Sequence, residues 1–282
     1  DGISKKKALV IIKGGLGNQL FQLSLCNLLK VQGFDVYIDI NFYQNKELLK
    51  HNTKRHLELS VKELNFKIAS KNTAKWFYKM QKIKTISNYQ KGHNYNLEQL
   101  RYFNIFDGYW QNTENLNFSI EYLKNVLSNQ AQFEKDLNSK PVKGSTLIHV
   151  RRTDYVGLNQ ELNIQYYSEA LSLASNEIEN FYFDVFTDDI DWVNKNPLFG
   201  NANKIYDSNS FEGSSIKTFS EMLGYENYII SNSTFSFLAA YIGGKSNSKI
   251  VKPYPWFPNR KHNFDNFSKW TNINWKLENE RF

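Results

Sequence analysis

The second half of this chain alternates short apolar runs with amphipathic segments, and that alternation limits the fold more than any other feature. STLIHV (145–150), FYFDVF (181–186), NKIYD (203–207), NYIIS (227–231) and SKIVK (248–252) read as strands. QYYSEALSLA (165–174), SIKTFSEML (215–223) and TFSFLAAYI (234–242) lie between them with apolar residues at helical spacing. Strands alternating with helices predict a parallel sheet, because parallel neighbours need a crossover and the crossover is right-handed. Continuous apolar runs mark strands buried on both faces.

The first half opens in the same way. ALVII (8–12) reads as a buried strand and KGGLGNQ (13–19) as a turn. Leu16, Leu20, Leu23, Leu28 and Leu29 then follow a helical period, and DVYIDI (35–40) is a second strand. Residues 45–140 mix aromatics and lysines without a clear period, apart from one helix expected around 113–137. NSKPVKG (138–144) is polar and carries Pro141 and Gly144, so it reads as a linker. The expected architecture is α/β of the two-Rossmann kind. A domain at 1–142 and a second at 143–282 would face each other across a cleft, which suits a length of 282 residues.

An aromatic content of 16% supports a real core. Cys26 is the single cysteine, which rules out an intrachain disulfide and a multi-cysteine zinc site. No apolar run approaches the ~18 residues of a membrane span, and no leader-like segment follows Asp1, so a cytoplasmic protein is expected. The net charge of +7 favours an anionic partner: nucleic acid, a membrane surface or a phosphorylated substrate. Lysines are dispersed, as in KKK (5–7) and KMQKIK (79–84), which argues against a dedicated nucleic-acid face.

Chemistry is expected beyond the carboxyl ends of the strands, where open α/β sheets bind ligands. There the first strand of the second half ends in IHVRRTDY (148–155). Arg151 and Arg152 suit pairing with phosphate oxygens. His149 offers a ring donor or acceptor. Asp154 is either a proton acceptor or a partner that holds Arg152. FTDDIDW (186–192) places Asp188 and Asp189 at the next exit. They are open to three readings: a carboxylate that accepts from guanine N1 and N2, a metal-binding D-x-D, or a helix N-cap at Thr187 or Asp188 for a short helix through Val193. SNSTFSF (231–237) opens an apolar helix, so Ser233, Thr234 and Phe235 form either a phosphate cradle or a plain cap. In the first half, GGLGNQ (14–19) is neither a dinucleotide fingerprint nor a P-loop. Leu20 stands at the third glycine's place, and no Gly-Lys-Ser/Thr follows.

In this order GGLGNQLFQ (14–22), GYWQN (108–112), HVRRTDY (149–155), FTDD (186–189) and SNSTFSF (231–237) are similar to the motifs of glycosyltransferase family 11, the α-1,2-fucosyltransferases. Phe237 stands where that family more often has tryptophan, a departure that bears on the acceptor. The resemblance implies a GT-B fold and inverting transfer of L-fucose from GDP-β-L-fucose, as co-substrate, to the 2-hydroxyl of a terminal galactoside. No metal ion or other cofactor is expected. It implies that Arg151 meets the diphosphate, that His149 and an Asp188 or Asp189 carboxylate lie by guanine, and that Ser233, Thr234 and Phe235 close on the phosphates and fucose. Gly15, Gly17, Asn18 and Gln19 would face the reacting sugar, and Trp110 either stacks on the acceptor or belongs to the core. Arg151 and Asp154 are the expected catalytic pair, with Glu161 and Asp39 as weaker bases. A bacterial surface polysaccharide such as O-antigen, carried on lipid, is the implied acceptor, with peripheral association at the inner membrane and no role for nucleic acid.

Overall fold

The computed structural model describes residues 5–44 and 55–275. The chain divides into two compact units, Asp1–Ala131 and Gln132–Phe282. The division falls ahead of the 142/143 boundary read from the linker, because the intervening segment is bonded to the second unit. The amides of Glu134 and Lys135 both donate to Ser220 Oγ, at 3.0 and 2.8 Å.

In the first unit a parallel sheet is built from β1 (Lys7–Ile11), β2 (Asp35–Asp39), β3 (Lys67–Ile68), β4 (Ser87–Gly92) and β5 (Phe103–Gly108), in the order β3-β2-β1-β5-β4. Ala8, Leu9 and Val10 of the central β1 are fully buried, as a strand covered on both faces requires. The helix Leu16–Val31 follows β1 and buries Leu20, Phe21, Leu25 and Leu29. The single helix expected over 113–137 is instead two, Thr113–Phe118 and Ile120–Ser128. Ser119 interrupts it by turning its hydroxyl away to Ser24 O at 2.9 Å, while Asn27 Nδ2 donates to Ser119 Oγ at 3.0 Å. A polar contact in the core thus sets the break.

The second unit holds β6 (Ser145–Val150), β7 (Tyr182–Thr187), β8 (Lys204–Tyr206), β9 (Asn227–Ile229), β10 (Ile250–Tyr254) and β11 (Thr271–Asn274), all parallel, in the order β11-β10-β9-β6-β7-β8. Every residue of β6 is buried. The chain moves outward from β6 through β7 to β8, then returns to β9 on the other side. The exits of β6 and β9 therefore flank the topological switch point, where a doubly wound sheet opens a crevice. Both units are parallel α/β, the domain content of a GT-B fold.

Candidate active site

At the β6 exit, His149 is 7% exposed and its Nδ1 lies 2.7 Å from Ser231 Oγ, a bond that spans the switch point. Burial pulls the imidazole down to about 4, against the opposing charge of Asp188 and with help from Arg151, so the ring is neutral at neutral pH. Arg151 follows. Its Nη2 meets Asp154 Oδ1 at 2.8 Å as an ion pair without an aligned hydrogen bond, and its Nη1 meets Asp188 Oδ2 at 3.2 Å. Burial works against this guanidinium's charge, and Asp188 and Asp154 more than offset it. The Tyr155 ring lies 5.7 Å from Arg151 Cζ, and Tyr155 OH donates to Asn232 O at 3.1 Å, tying the arginine turn to the β9 exit.

The geometry revises the roles of three aspartates. Asp154 pairs with Arg151, not Arg152; Arg152 is held by Asp189 Oδ2 at 3.3 Å and lies over the Trp192 ring at 4.2 Å. Asp189 Oδ1 also accepts from Trp192 N at 3.1 Å, so Asp189, and not Thr187 or Asp188, is the N-cap of the helix Ile190–Lys195. Asp188 is more heavily engaged. It accepts from Arg152 N at 2.8 Å, Thr153 N at 3.3 Å and Thr153 Oγ1 at 2.6 Å, besides Arg151. These contacts fill a carboxylate's roughly four acceptor sites, so Asp188 shapes the arginine turn. Among the described residues no group of three or more His, Cys, Asp or Glu is placed to hold a metal ion.

At the β9 exit, Ser233 caps the helix Thr234–Gly243 by accepting from Phe235 N at 3.3 Å. Phe235 sits 6.3 Å from the His149 ring, at a tilt. Ser233 is buried, and Thr234 and Phe235 are half-buried. Phe237 is fully buried and stacks on Phe264 at 3.8 Å, so that departure from the expected tryptophan lies in the core.

These exits meet at a pocket of about 210 Å³ lined by His149, Arg151, Asp188, Phe235, Tyr206 and Asp207, among others. Its volume is below the ~300–1,000 Å³ of sites for drug-sized ligands, so it suits one part of a larger molecule. Tyr206, Asp207, Ser208, Gly213 and Thr218 line it and were missed by the sequence reading. The signal was available for most of them: Tyr206 and Asp207 end NKIYD, a fourth strand of the same sheet, and Ser208 and Gly213 lie in the loop beyond it. Phe211, Glu212 and Gly213 all have positive φ, at 53, 59 and 68°, an uncommon run of left-handed backbone beside the pocket. Phe211 stacks on Phe186 at 6.1 Å and packs on Tyr206 at 4.9 Å.

In the first unit the motif residues are differently engaged. Gly14 has φ +83°, and a Cβ there would lie 2.8 Å from Asn18 Nδ2, so the turn requires glycine. Gly15 lies beside Arg55, and Gly17 is buried in the first turn of Leu16–Val31. Asn18 is half-buried and accepts from Gln111 Nε2 at 2.9 Å. Gln19 is fully buried; its amide donates to Gly14 O and His56 O and accepts from Glu58 N, so it staples the turn and does not face a sugar. Trp110 is also fully buried, against Phe106 and Tyr95, and is a core residue. Asp39 is buried and accepts from Asn41 N at 2.9 Å, a turn contact. Glu161 keeps one buried carboxylate oxygen with no hydrogen-bond partner.

Known proteins are similar to this chain. An α-1,2-colitosyltransferase of Escherichia coli is 27% identical over 93% of this chain and 97% of its own length. The O-antigen biosynthesis glycosyltransferase WbnK of E. coli is 27% identical over 46% of this chain and 44% of its own. Among solved structures, the fucosyltransferase NodZ from Bradyrhizobium overlaps 85% of this chain and 93% of its own, with a TM-score of 0.47 and 13% identity. The profile of glycosyl transferase family 11 matches residues 4–277, and the chain belongs to that family.

Proposed function

We propose that this glycosyltransferase moves L-fucose from GDP-β-L-fucose to the 2-hydroxyl of a terminal galactoside, with inversion and without a metal ion. The observation that carries this reading is the meeting of three strand exits at one pocket: His149 and Arg151, Asp188, and Phe235 from the helix start capped by Ser233. Breaking a sugar–diphosphate bond builds negative charge on the departing nucleotide. A paired, permanently charged Arg151 and the positive end of the helix Thr234–Gly243 are suited to receive that charge. The neutral imidazole of His149 and the aromatic wall of Phe186, Tyr206 and Phe235 suit a purine base. Asp154 has two open roles, as acceptor of the hydroxyl proton and as holder of Arg151. An Asp154→Asn variant that loses turnover but keeps GDP affinity assigns the first; matched losses assign the second.

A second reading differs only in the donor. The E. coli relative named for α-1,2-colitosyl transfer spans nearly the whole chain, so a GDP-linked sugar other than fucose is the alternative. A protein that binds GDP-sugars without transferring them is a further one. Calorimetric titration with GDP in EDTA, beside UDP and an Arg151→Ala variant, tests the shared donor site. Metal-free binding of GDP, weak binding of UDP and a large loss in the variant support it; equal or absent binding of both nucleotides removes it. Release of GDP from GDP-fucose, GDP-colitose and GDP-mannose in the presence of galactosides then selects the donor and separates an enzyme from a binding protein.

A lipid-linked O-antigen precursor at an anionic membrane surface is the proposed setting of the acceptor. No helix of the described residues is long and apolar enough to cross a membrane. The first unit carries a pocket of about 730 Å³ lined by Lys5, Lys30, Lys62 and Lys67, a basic face suited to peripheral contact. Vesicle sedimentation should rise with the fraction of anionic lipid; sedimentation that ignores it removes the membrane from the proposal.

A further inference from the structure

Lys252 lies in the middle of β10 and is fully buried, and its Nζ has no hydrogen-bond partner. A buried ammonium without a hydrogen-bond partner is unusual, because desolvation works against its charge. The nearest carboxylate does not rescue it. Asp265 accepts from Trp256 N through Oδ1 at 2.6 Å and from His262 N through Oδ2 at 2.8 Å, and it forms no ion pair with Lys252. Burial pulls the Lys252 amine down to about 8, opposed by the charge of Asp265.

Register shows where this charge points. Ile148, Ile229 and Val251 form one row across β6, β9 and β10 and belong to one apolar cluster. The next row, His149, Ile230 and Lys252, therefore faces the opposite side of the sheet. Lys252 Nζ lies 5.9 Å from the ring centroid of Tyr254, two residues nearer the strand's exit, so the side chain runs toward the carboxyl edge. That edge also carries Arg151 and the cap of the helix Thr234–Gly243. By the same register Tyr254 is level with Asn232, whose Oδ1 is buried and likewise has no hydrogen-bond partner. A buried donor on β10 and a buried acceptor past the end of β9 are thus left without hydrogen-bond partners on neighbouring strands, and the charge of Lys252 acts through space on an anion at the carboxyl edge.

We infer that Lys252 is a positioning charge of the donor site, which strengthens the hold on the nucleotide's diphosphate from beneath the 231–235 turn. The inference rests on the GDP-sugar reading above.

The test compares wild type, Lys252→Met and Lys252→Arg by calorimetry with GDP and with guanosine, and by thermal melting. Lys252→Met should melt higher, because it removes a buried charge and keeps the volume. Its GDP affinity should fall about tenfold, the scale of one unit charge acting over about 12 Å at an effective dielectric near 20, while guanosine affinity stays unchanged. Lys252→Arg should recover most of the GDP affinity. Unchanged GDP affinity in Lys252→Met, or equal losses for GDP and guanosine, overturns the inference while leaving the donor site standing. Wild-type protein that binds GDP no better than guanosine removes the donor reading and this inference with it.

Discussion

Each unit has a topological switch point beside its first strand, and the two are used in opposite ways. In the first unit the crevice between β1 and β5 is bridged. Lys13 pairs with Asp107 at 2.6 Å, Gln22 Nε2 donates to Gly108 O at 2.9 Å, and Asn18 is tied to Gln111. In the second unit the crevice between β6 and β9 is crossed by His149 to Ser231 and, farther out, by Tyr155 OH to Asn232 O and Asn232 Nδ2 to Gln160 O, yet a pocket opens beside His149. The same topology therefore yields a braced turn in one place and a ligand site in the other. Motif residues at a strand exit cannot be assigned to chemistry by position alone. What decides is whether their polar atoms are already satisfied within the protein.

The sharpest way to test that contrast is to remove one residue from each exit. Arg151→Ala should lower turnover by about 10²–10³, the scale seen when a preorganised charge facing the reacting group is removed, and should weaken GDP binding with it. Steady-state kinetics and calorimetry on the folded variant read both. Gln19→Ala should do the reverse. It strands His56 O and Glu58 N and leaves Gly14 O with Tyr43 OH alone, so stability should fall by about 3 kcal/mol, while GDP affinity holds. Chemical denaturation beside GDP titration checks it. If Gln19→Ala keeps its stability and loses turnover, the first exit is a ligand site too and the contrast collapses.

The sequence made the second unit largely readable, because its strands are buried on both faces and show as continuous apolar runs. STLIHV is β6 to the residue. The middle of the first unit was not readable for the converse reason. Edge strands need no apolar face: β4 is SNYQKG, and β3 is two exposed residues. β11, TNIN, was missed on the same ground. In the site, residue types and strand exits picked out His149, Arg151, Asp188 and Ser233, which the fold gathers within one unit. Their division of labour was not legible. Whether Asp188 meets a ligand or the amides of Arg152 and Thr153 depends on the turn at the exit of the preceding strand, 35 and 36 residues earlier. Lys252 was invisible for a related reason: a lysine in an apolar run looks like a strand end until register shows it buried.

The His149 ring offers a smaller, pH-dependent test of the open exit. Its folded value lies near 4, below the ordinary 6.5, because burial disfavours the imidazolium. Between those values the unfolded chain binds the proton that the folded chain refuses, so stability rises with pH across the window and is fully present above 6.5. Acidification to pH 5 should cost about 2 kcal/mol from this group, and a His149→Gln variant should lose that part of the pH dependence. Denaturation curves at pH 5 and pH 7.5 for both proteins separate it from the rest. Matching differences in the two proteins would mean that the ring titrates freely, and the exit is wetter than its 7% exposure implies.

Asp189 gives the mildest perturbation and the finest distinction. Its oxygens are divided between the cap of Ile190–Lys195 and Arg152. Asp189→Ala should therefore cost about 1 kcal/mol, the usual loss for an N-cap, with GDP still preferred over UDP by the wild-type ratio. Calorimetric titration of both nucleotides settles the point. A ratio that collapses toward one would make Asp189 a reader of the base, and the cap would then be a secondary use of a ligand-binding carboxylate. A ratio that holds leaves base selection to the pocket wall, where Asp207 is the other lining carboxylate beside the heavily engaged Asp188.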